Sequence, residues 1–463
     1  MLVPDTSITA SALKPALSTF WELSGKKIRL IDSNYDHSGG SPVFTVEGQY
    51  TTRGWTEWTQ GFEFGSGILQ YEATGDDWFL EFARNNTLSR MAPHLSHFGV
   101  HDHGFNNVST YGNLLRLHEA GTCSGDKWET ELYRLALKLS GAVQAKRWTH
   151  AGNGGFIHSF NGPHSLFVDT IRSCRSLAIG HLLGHRCLDE ADREISMLGR
   201  LIQHARSTAQ YSIYYGDGRD LYDTEAGRTT HEAVFNTTSG QFRSPATQQG
   251  YSAFSTWTRG LAWAMLGFSE ELEFISELGE ADLEPFGGRS EIEQVLLRAA
   301  RATCDFYINN SPADGIPYWD TGAPGLRELD SGYLDRNSDP FNEHEPIDSS
   351  AAAIGAQGLV RLGRRLGLDS ENGQKYFQAG LSVAKTLFSE PYLSTSEAHQ
   401  GLILHSIYHR PNGWDHVPAG SRIPQGESSM WGDYHARELA HYIGKIADRS
   451  DYRFFDCVPQ PHE

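Results

Sequence analysis

The chain is poor in the features that would point to a membrane, a disulfide framework or a nucleic-acid partner. Its five cysteines (Cys123, Cys174, Cys187, Cys304, Cys457) are odd in number and scattered, with no CxxC or Cys/His ligand spacing. Neither a disulfide scaffold nor a zinc site is expected, and buried reduced thiols in a cytoplasm fit this usage. No run of ~18 apolar residues exists, so no segment is expected to span a bilayer. Residues 1–20 carry Asp5 and lack a basic patch leading into an apolar run, unlike a signal peptide. The expected location is therefore cytoplasmic. Positive charge is scarce: 39 Lys and Arg stand against 57 Asp and Glu, a net charge of −18. That argues against nucleic acid, whose phosphates need a basic face. It also gives an acidic small ligand no long-range attraction, so local Arg and His would have to hold one. The sequon Asn107-Val108-Ser109 adjoins a candidate site motif, where a glycan would obstruct, and is read as chance.

Long alternating strand patterns are scarce as well, and helical periodicity dominates. The helices come in pairs, a more polar one before a smaller-residue, more apolar one. The polar members fall near 8–25, 77–90, 127–147, 189–207, 289–309 and 371–389. Their apolar partners fall near 61–74, 102–120, 166–184, 255–272, 347–367 and 427–446. The run Ser349 to Ala356 is small and apolar, as suits a helix buried on most sides, and Asp348 before it suits an N-cap. Apolar-to-polar links are short turns (Gly75-Asp76, 121–125, Leu368-Asp369). Polar-to-apolar links are long: 26–60, 91–101, 148–164, 208–254, 310–346 and 390–426. Loops beyond roughly 12–15 residues usually carry function. In an alternating toroid they all emerge on one face, at the N-termini of the apolar helices. The pattern predicts an all-α (α/α)6 barrel, one domain over 1–463, with a loop-built cleft and minor β-hairpins at Tyr222-Asp223-Thr224 and His231 to Phe242. No linker interrupts the chain, and the absence of sequence repeats argues against a solenoid.

Several residues at the starts of the apolar helices have chemical potential. Gln249-Gly250-Tyr251 precedes Thr256-Trp257-Thr258-Arg259-Gly260-Leu261-Ala262-Trp263, which sets an amide, a guanidinium and two indoles around a helix N-terminus. A helix end offers free N–H groups, arginine fits a carboxylate bidentately, and indole faces suit sugar rings. The bland alternative is a structural ion pair and core tryptophans. Asp102, in His101-Asp102-His103-Gly104-Phe105, and Asp169, in Leu166-Phe167-Val168-Asp169-Thr170, also stand at helix starts. Each alone would ordinarily be a cap. Asp169 is preceded by apolar residues, and beside a second carboxylate its pKa would be pushed upward, suiting a general acid. His231 could donate to a sugar, and His101 or His103 could orient Asp102. Trp58 and Pro317-Tyr318-Trp319-Asp320 offer stacking faces or core. No HExxH motif and no carboxylate–histidine set with metal spacing appears, so neither metal nor organic cofactor is expected.

These motifs occur together, in order, from about Trp58 to Tyr434. They are Trp58-Thr59-Gln60-Gly61-Phe62, His101-Asp102-x-Gly-Phe, Val168-Asp169-Thr170, the Gln249 to Trp263 segment, Pro317-Tyr318-Trp319-Asp320, Asp348 to Ala353 and Trp431-Gly432-Asp433-Tyr434. In this the chain resembles the unsaturated glucuronyl hydrolases of glycoside hydrolase family 88, with the unsaturated rhamnogalacturonyl hydrolases of family 105 as cousins. The resemblance implies an (α/α)6 barrel. It also implies removal of a 4,5-unsaturated uronic acid from the non-reducing end of lyase-generated oligosaccharides, by hydration of a vinyl ether. An aspartic acid protonates C4, water adds at C5, and the hemiketal collapses with loss of the glycosidic bond. By resemblance, Asp169 is the general acid/base and Asp102 the second carboxylate that tunes it. His101, His231, Gln249 and Arg259 surround the sugar, and Trp263 stacks on it, with Trp58 as a further platform. The family's opening motif carries an acid and a second aromatic where this chain has Gln60 and Glu63, which changes the platform there. Loops 148–164 and 390–426 look particular to this chain. Fragments of chondroitin, hyaluronan, heparin, gellan, xanthan, ulvan and pectin are all compatible. An inverting glycosidase on saturated uronosides, a sugar epimerase on the same barrel and a non-catalytic sugar-binding protein are the competing readings.

Overall fold

The computed structural model describes residues 1–152, 154–450, 452, 454 and 455. Among the described residues, six outer and six inner helices alternate as an (α/α)6 barrel. The outer helices are Lys14–Asn34, Asp77–Arg90, Lys127–Lys146, Met197–Tyr211, Gly288–Asn310 and Glu371–Leu387. The first inner helix is Gln60–Thr74. The second runs through His103–Asn107, a π-helical turn at Val108–Gly112, and Asn113–Glu119. The third is Thr170–Ser173 continued by Arg175–Leu182, and the others are Thr258–Glu277, Ser349–Leu366 and Met430–Ala447.

Small residues let the inner helices close into a ring. A Cβ on Gly61 would fall 2.4 Å from the Cα of Asn106, one on Gly358 would meet the Met265 backbone, and one on Gly65 would meet both Ser109 and Tyr434. The last of these closes the first inner helix on the sixth, where Asn113 Nδ2 donates to the Tyr434 hydroxyl at 3.1 Å. Within the same motif the Asp433 carboxylate accepts from the backbone N–H groups of Leu402 and Ile403. Trp-Gly-Asp-Tyr is thus barrel closure. Inside the ring, Arg172 bridges Glu270 at 3.0 Å and Glu438 at 2.8 Å, all three buried, tying the third, fourth and sixth inner helices together.

Several boundaries differ from the sequence pattern, three of them for a plain local reason. The first outer helix runs on to Asn34 because Lys27, Ile28 and Ile31 prolong its buried face. The fourth starts at Met197, since Cys187–Leu188 pairs with Glu194–Ile195 and Ser196 caps the helix that follows. The third inner helix starts at Thr170, because Ser165–Phe167 is a strand. That strand pairs with Glu232–Phe235, which pairs in turn with Phe242–Ala246, so the hairpin expected at His231 to Phe242 exists within a three-stranded sheet. Tyr222-Asp223-Thr224 is not a strand. Asp223 accepts backbone N–H groups from Tyr215, Gly216, Asp217 and Arg219 and winds the loop into a turn instead.

The four described cysteines, Cys123, Cys174, Cys187 and Cys304, are free thiols; Cys457 lies outside the described residues. No described helix is long and apolar enough to cross a membrane. Asn107 and Ser109 are buried within the second inner helix, so the sequon there is closed to a glycan.

Candidate active site

The N-termini of the inner helices share one face, and the carboxylates of interest stand there. Aspartate and serine at N-cap positions ordinarily cap in this chain: the side chains of Asp76, Asp126, Ser196 and Ser370 on outer helices, and of Asp348 and Ser429 on inner ones, each accept a backbone N–H from the helix they precede. Asp102 and Asp169 also occupy N-cap positions, yet neither side chain makes a capping bond. They are only 7% and 8% exposed. A buried carboxylate that declines the local donor is costly unless something else uses its charge.

Gly104 sets their spacing. A Cβ there would sit 2.1 Å from the Ser173 carbonyl oxygen, so the second and third inner helices touch backbone to backbone just below the two aspartates. Gly104 N–H donates to Ser173 Oγ at 2.9 Å, and that hydroxyl donates to the His101 carbonyl at 2.6 Å. His101 is thereby held between the carboxylates, its Nε2 3.5 Å from Asp169 Oδ2 and 3.6 Å from Asp102 Oδ1. Phe160 stacks on its ring at 5.8 Å. Arg147, whose charge also reaches Asp102, donates to the carbonyls of Phe98, His158 and Ser159 and fixes the loop that carries Phe160.

The electrostatics correct one expectation. Burial alone would push the Asp169 carboxyl up, but the hydrogen bond and charge of His101, with His231 behind it, outweigh burial and hold it below its ordinary value. Asp102 is the raised member, pushed up by burial and by Asp169 against the pull of His101. Burial pushes His101 down, yet Asp102 and Asp169 together leave it raised. His101 shifts both carboxylates and is shifted by both, so the three titrations are linked. Their ligating atoms lie within 4.8 Å of one another, so the same trio has the spacing to hold a divalent cation. The fold assembles that set from residues 67 positions apart, which no sequence spacing reveals.

His231 lies across from them, carried in by the sheet: Val168 N–H donates to its carbonyl at 2.9 Å. Its Nδ1 accepts the backbone N–H groups of Gln248 and Gln249 at 3.0 and 3.3 Å. The proton of the neutral ring is therefore on Nε2, which has no protein partner. Burial lowers this imidazole to about 4, so it stays a neutral donor.

Two expected sugar ligands take other roles. Arg259 is 1% exposed, and its terminal nitrogens are spent on Asp348 (3.1 Å), Gln249 Oε1 (2.9 Å) and the carbonyls of Ile407 and Tyr408. It presents no free fork to the cleft. What it does is hold the Gln249 oxygen, a bond that does not use the amide N–H groups of Gln249. Trp263 is 2% exposed and packs on Phe105 and His435, so it is core. Trp58 is half-buried and stacks on Trp431 at 5.2 Å, a platform with one face spent. Tyr318 and Trp319 are buried, with Trp319 Nε1 donating to Glu345. The family departures have partners of their own: Gln60 accepts from His94 at 2.7 Å, and Glu63 pairs with His37 at 2.6 Å.

Sequence reasoning missed two members of the cleft. Glu57 feels both Asp102 and Arg53, and burial raises its carboxyl. His409 lies close enough to His231 for its charge to depress that imidazole, and burial and Arg259 depress His409 in turn. Only their nearness to Trp58 and Tyr408 hinted at either.

No family model matches the chain. An unsaturated glucuronyl hydrolase of Formosa agariphila is 25% identical over 398 residues, 82% of this chain and 78% of its own. An unsaturated chondroitin disaccharide hydrolase of Streptococcus pyogenes is 25% identical over 431 residues, 90% of this chain and 88% of its own. Among solved structures, an unsaturated glucuronyl hydrolase specific for heparin superposes with a TM-score of 0.71 at 21% identity, over 94% of this chain and 98% of that one. Relatives of one kind match the chain along most of its length and the fold is held in common, so the chain is similar throughout to the unsaturated glucuronyl hydrolases.

Proposed function

We propose that this glycosidase, which removes an unsaturated uronic acid from oligosaccharides, acts by hydrating the 4,5 double bond, with Asp169 as the proton donor. The observation that carries the reading is the pair of uncapped, buried carboxylates joined through His101. Asp169 delivers a proton to C4, and the positive charge that develops at C5 and the ring oxygen is stabilised by the ionised Asp102. Water adds at C5 and returns a proton to Asp169, so the enzyme ends the step as it began. The hemiketal then collapses and the glycosidic bond breaks. The resting carboxyl of Asp169 is held low, and substrate supplies the correction. A uronate carboxylate entering the cleft brings a negative charge and expels water, and both raise the proton affinity of Asp169. His231 Nε2–H and the Gln249 amide donate to the sugar's oxygens, and Arg259 acts through Gln249. The substrate is an oligosaccharide ending in an unsaturated uronate. The relatives' chondroitin and heparin fragments are the first to try. The whole chain serves as one catalytic unit, and a reducing cytoplasm suits the four described free thiols.

Absorbance of the conjugated double bond tests this directly. Incubation with lyase-generated chondroitin and heparin disaccharides should abolish the signal with at least one of them. Asp169→Asn should lose at least ~10³-fold in kcat, because an amide cannot deliver the proton, and should unfold no earlier than wild type. An active Asp169→Asn, or hydrolysis of saturated uronosides instead, would overturn the mechanism.

A further inference from the structure

The six long loops carry nearly all the exposed aromatic surface. Among the described residues nine aromatic side chains are at least 41% exposed; eight lie in these loops, and Trp128 alone sits on a helix. Of the eight, Phe160 already stacks on His101, and Trp414 sits in a polar frame joined to Arg259. Its ring lies 5.2 Å from Tyr408 and 4.9 Å from His409. The backbone N–H groups of both neighbours are held by the buried Asp415. The Tyr408 carbonyl accepts from Arg259 at 2.7 Å, so the platform is anchored to the residue that positions Gln249. From the first loop, Arg53 lies 5.9 Å from the Trp414 ring and 5.8 Å from that of Tyr408, and donates to the Trp414 carbonyl at 3.3 Å.

Some exposed arginines, such as Arg186 and Arg298, lie against a carboxylate. Others, Arg53, Arg90, Arg243, Arg301 and Arg449, do not, and among the described residues Arg53 alone of these lies over aromatic rings. Arg53 is exposed and has no carboxylate within 4.0 Å among the described residues. In a molecule of net charge −18, an exposed guanidinium left without an acid keeps its attraction for an incoming anion. Glu57, which feels both Arg53 and Asp102, lies on the way from this platform to the reacting carboxylates.

An indole face beside an exposed guanidinium with no acid against it, one frame away from the site of bond cleavage, suits a sugar ring with a negative substituent. We propose that Trp414 and Arg53 form the site for the sugar to which the unsaturated uronate is attached, its ring on the exposed indole and its sulfate or carboxylate substituent paired with Arg53. The proposal rests on the hydrolase reading above and adds the class of the second sugar: an acidic one. Stacking on Trp414 fixes the ring, and Arg53 selects the substituent.

The test compares wild type, Trp414→Ala and Arg53→Gln on four substrates. These are the methyl glycoside of the unsaturated uronate, an unsulfated and a sulfated chondroitin disaccharide, and a disaccharide whose second sugar is a uronate. Each disaccharide is read as its kcat/KM divided by that for the methyl glycoside. Trp414→Ala should lower this ratio about tenfold or more for every disaccharide, through KM. Arg53→Gln should lower it by a similar factor only where the second sugar is charged; the sulfate and uronate arms show which anion it serves. Ratios untouched by Trp414→Ala overturn the platform. An Arg53→Gln effect that ignores charge, or no effect, overturns the pairing. Inactivity of wild type on all four substrates would bring down the hydrolase reading itself, an outcome separate from these. Both side chains are exposed, so neither substitution endangers the fold.

Discussion

Replacing Arg259 by lysine separates two ways in which a buried arginine can serve an acidic substrate. If the guanidinium met the uronate directly, lysine would raise KM and leave the fold alone. The structure points elsewhere. The Nη2 group donates to Gln249 Oε1 at 2.9 Å and to the Tyr408 carbonyl at 2.7 Å, while Nη1 serves Asp348 and the Ile407 carbonyl. A lysine amine can reach Asp348 but cannot reproduce the second prong. Two hydrogen bonds from a charged donor are worth roughly 1.5–3 kcal/mol each, so the loss is about 3–6 kcal/mol before any refilling by water. Unfolding entropy of roughly 2.1 cal/mol/K per residue gives about 1 kcal/mol/K for 463 residues, so Tm should fall by about 3–6 °C. With its oxygen released, the Gln249 amide can turn, and kcat/KM on an unsaturated disaccharide should drop about tenfold, equivalent to ~1.4 kcal/mol. The decisive measurement is a double-mutant cycle with Gln249→Ala, read by calorimetry and by loss of double-bond absorbance. If Arg259 acts through Gln249, adding Arg259→Lys to Gln249→Ala should cost less than about twofold more in kcat/KM. Multiplicative losses with an unchanged Tm would refute the positioning role and return the guanidinium to the substrate.

Two further outcomes follow from the same geometry. His101 is raised above its ordinary 6.5 by Asp102 and Asp169, and the trio must keep a proton to act. The alkaline limb of kcat/KM should therefore lie above pH 6.5, and His101→Gln should move it to lower pH because only carboxyls remain to hold the proton; an unmoved limb would remove His101 from the linked titration. Gly104→Ala would place a Cβ 2.1 Å from the Ser173 carbonyl oxygen. Parting those two helices should cost about 1–3 kcal/mol or more in stability and, by misplacing Asp102 relative to Asp169, about 10²-fold in kcat. Wild-type turnover in that variant would show that the carboxylates tolerate a looser spacing.

The sequence by itself determined the twelve-helix alternation and the face on which the long loops gather, and it singled out Asp102 and Asp169 as candidates. Helical periodicity is local, and alternating short and long links dictate which face the long loops share. The list of candidate residues was legible for the same reason: the motifs lie at helix starts, where the chain itself presents side chains to the cleft. Whether each candidate's polar atoms are free or already spent was settled only by the tertiary structure, because that depends on partners far away in the chain. Asp348 and Asp169 are alike in sequence, yet one caps its helix and pairs with Arg259 while the other leaves an oxygen unbonded. Arg259 looked like a carboxylate fork until residues 407 and 408 took its donors. Trp263 looked like a platform until Phe105 and His435 covered it. The downward shift of Asp169 comes from His101, 68 residues away. A carboxyl's burial can be guessed from its apolar neighbours in the sequence, but its charge partners cannot, and here the partners outweigh the burial.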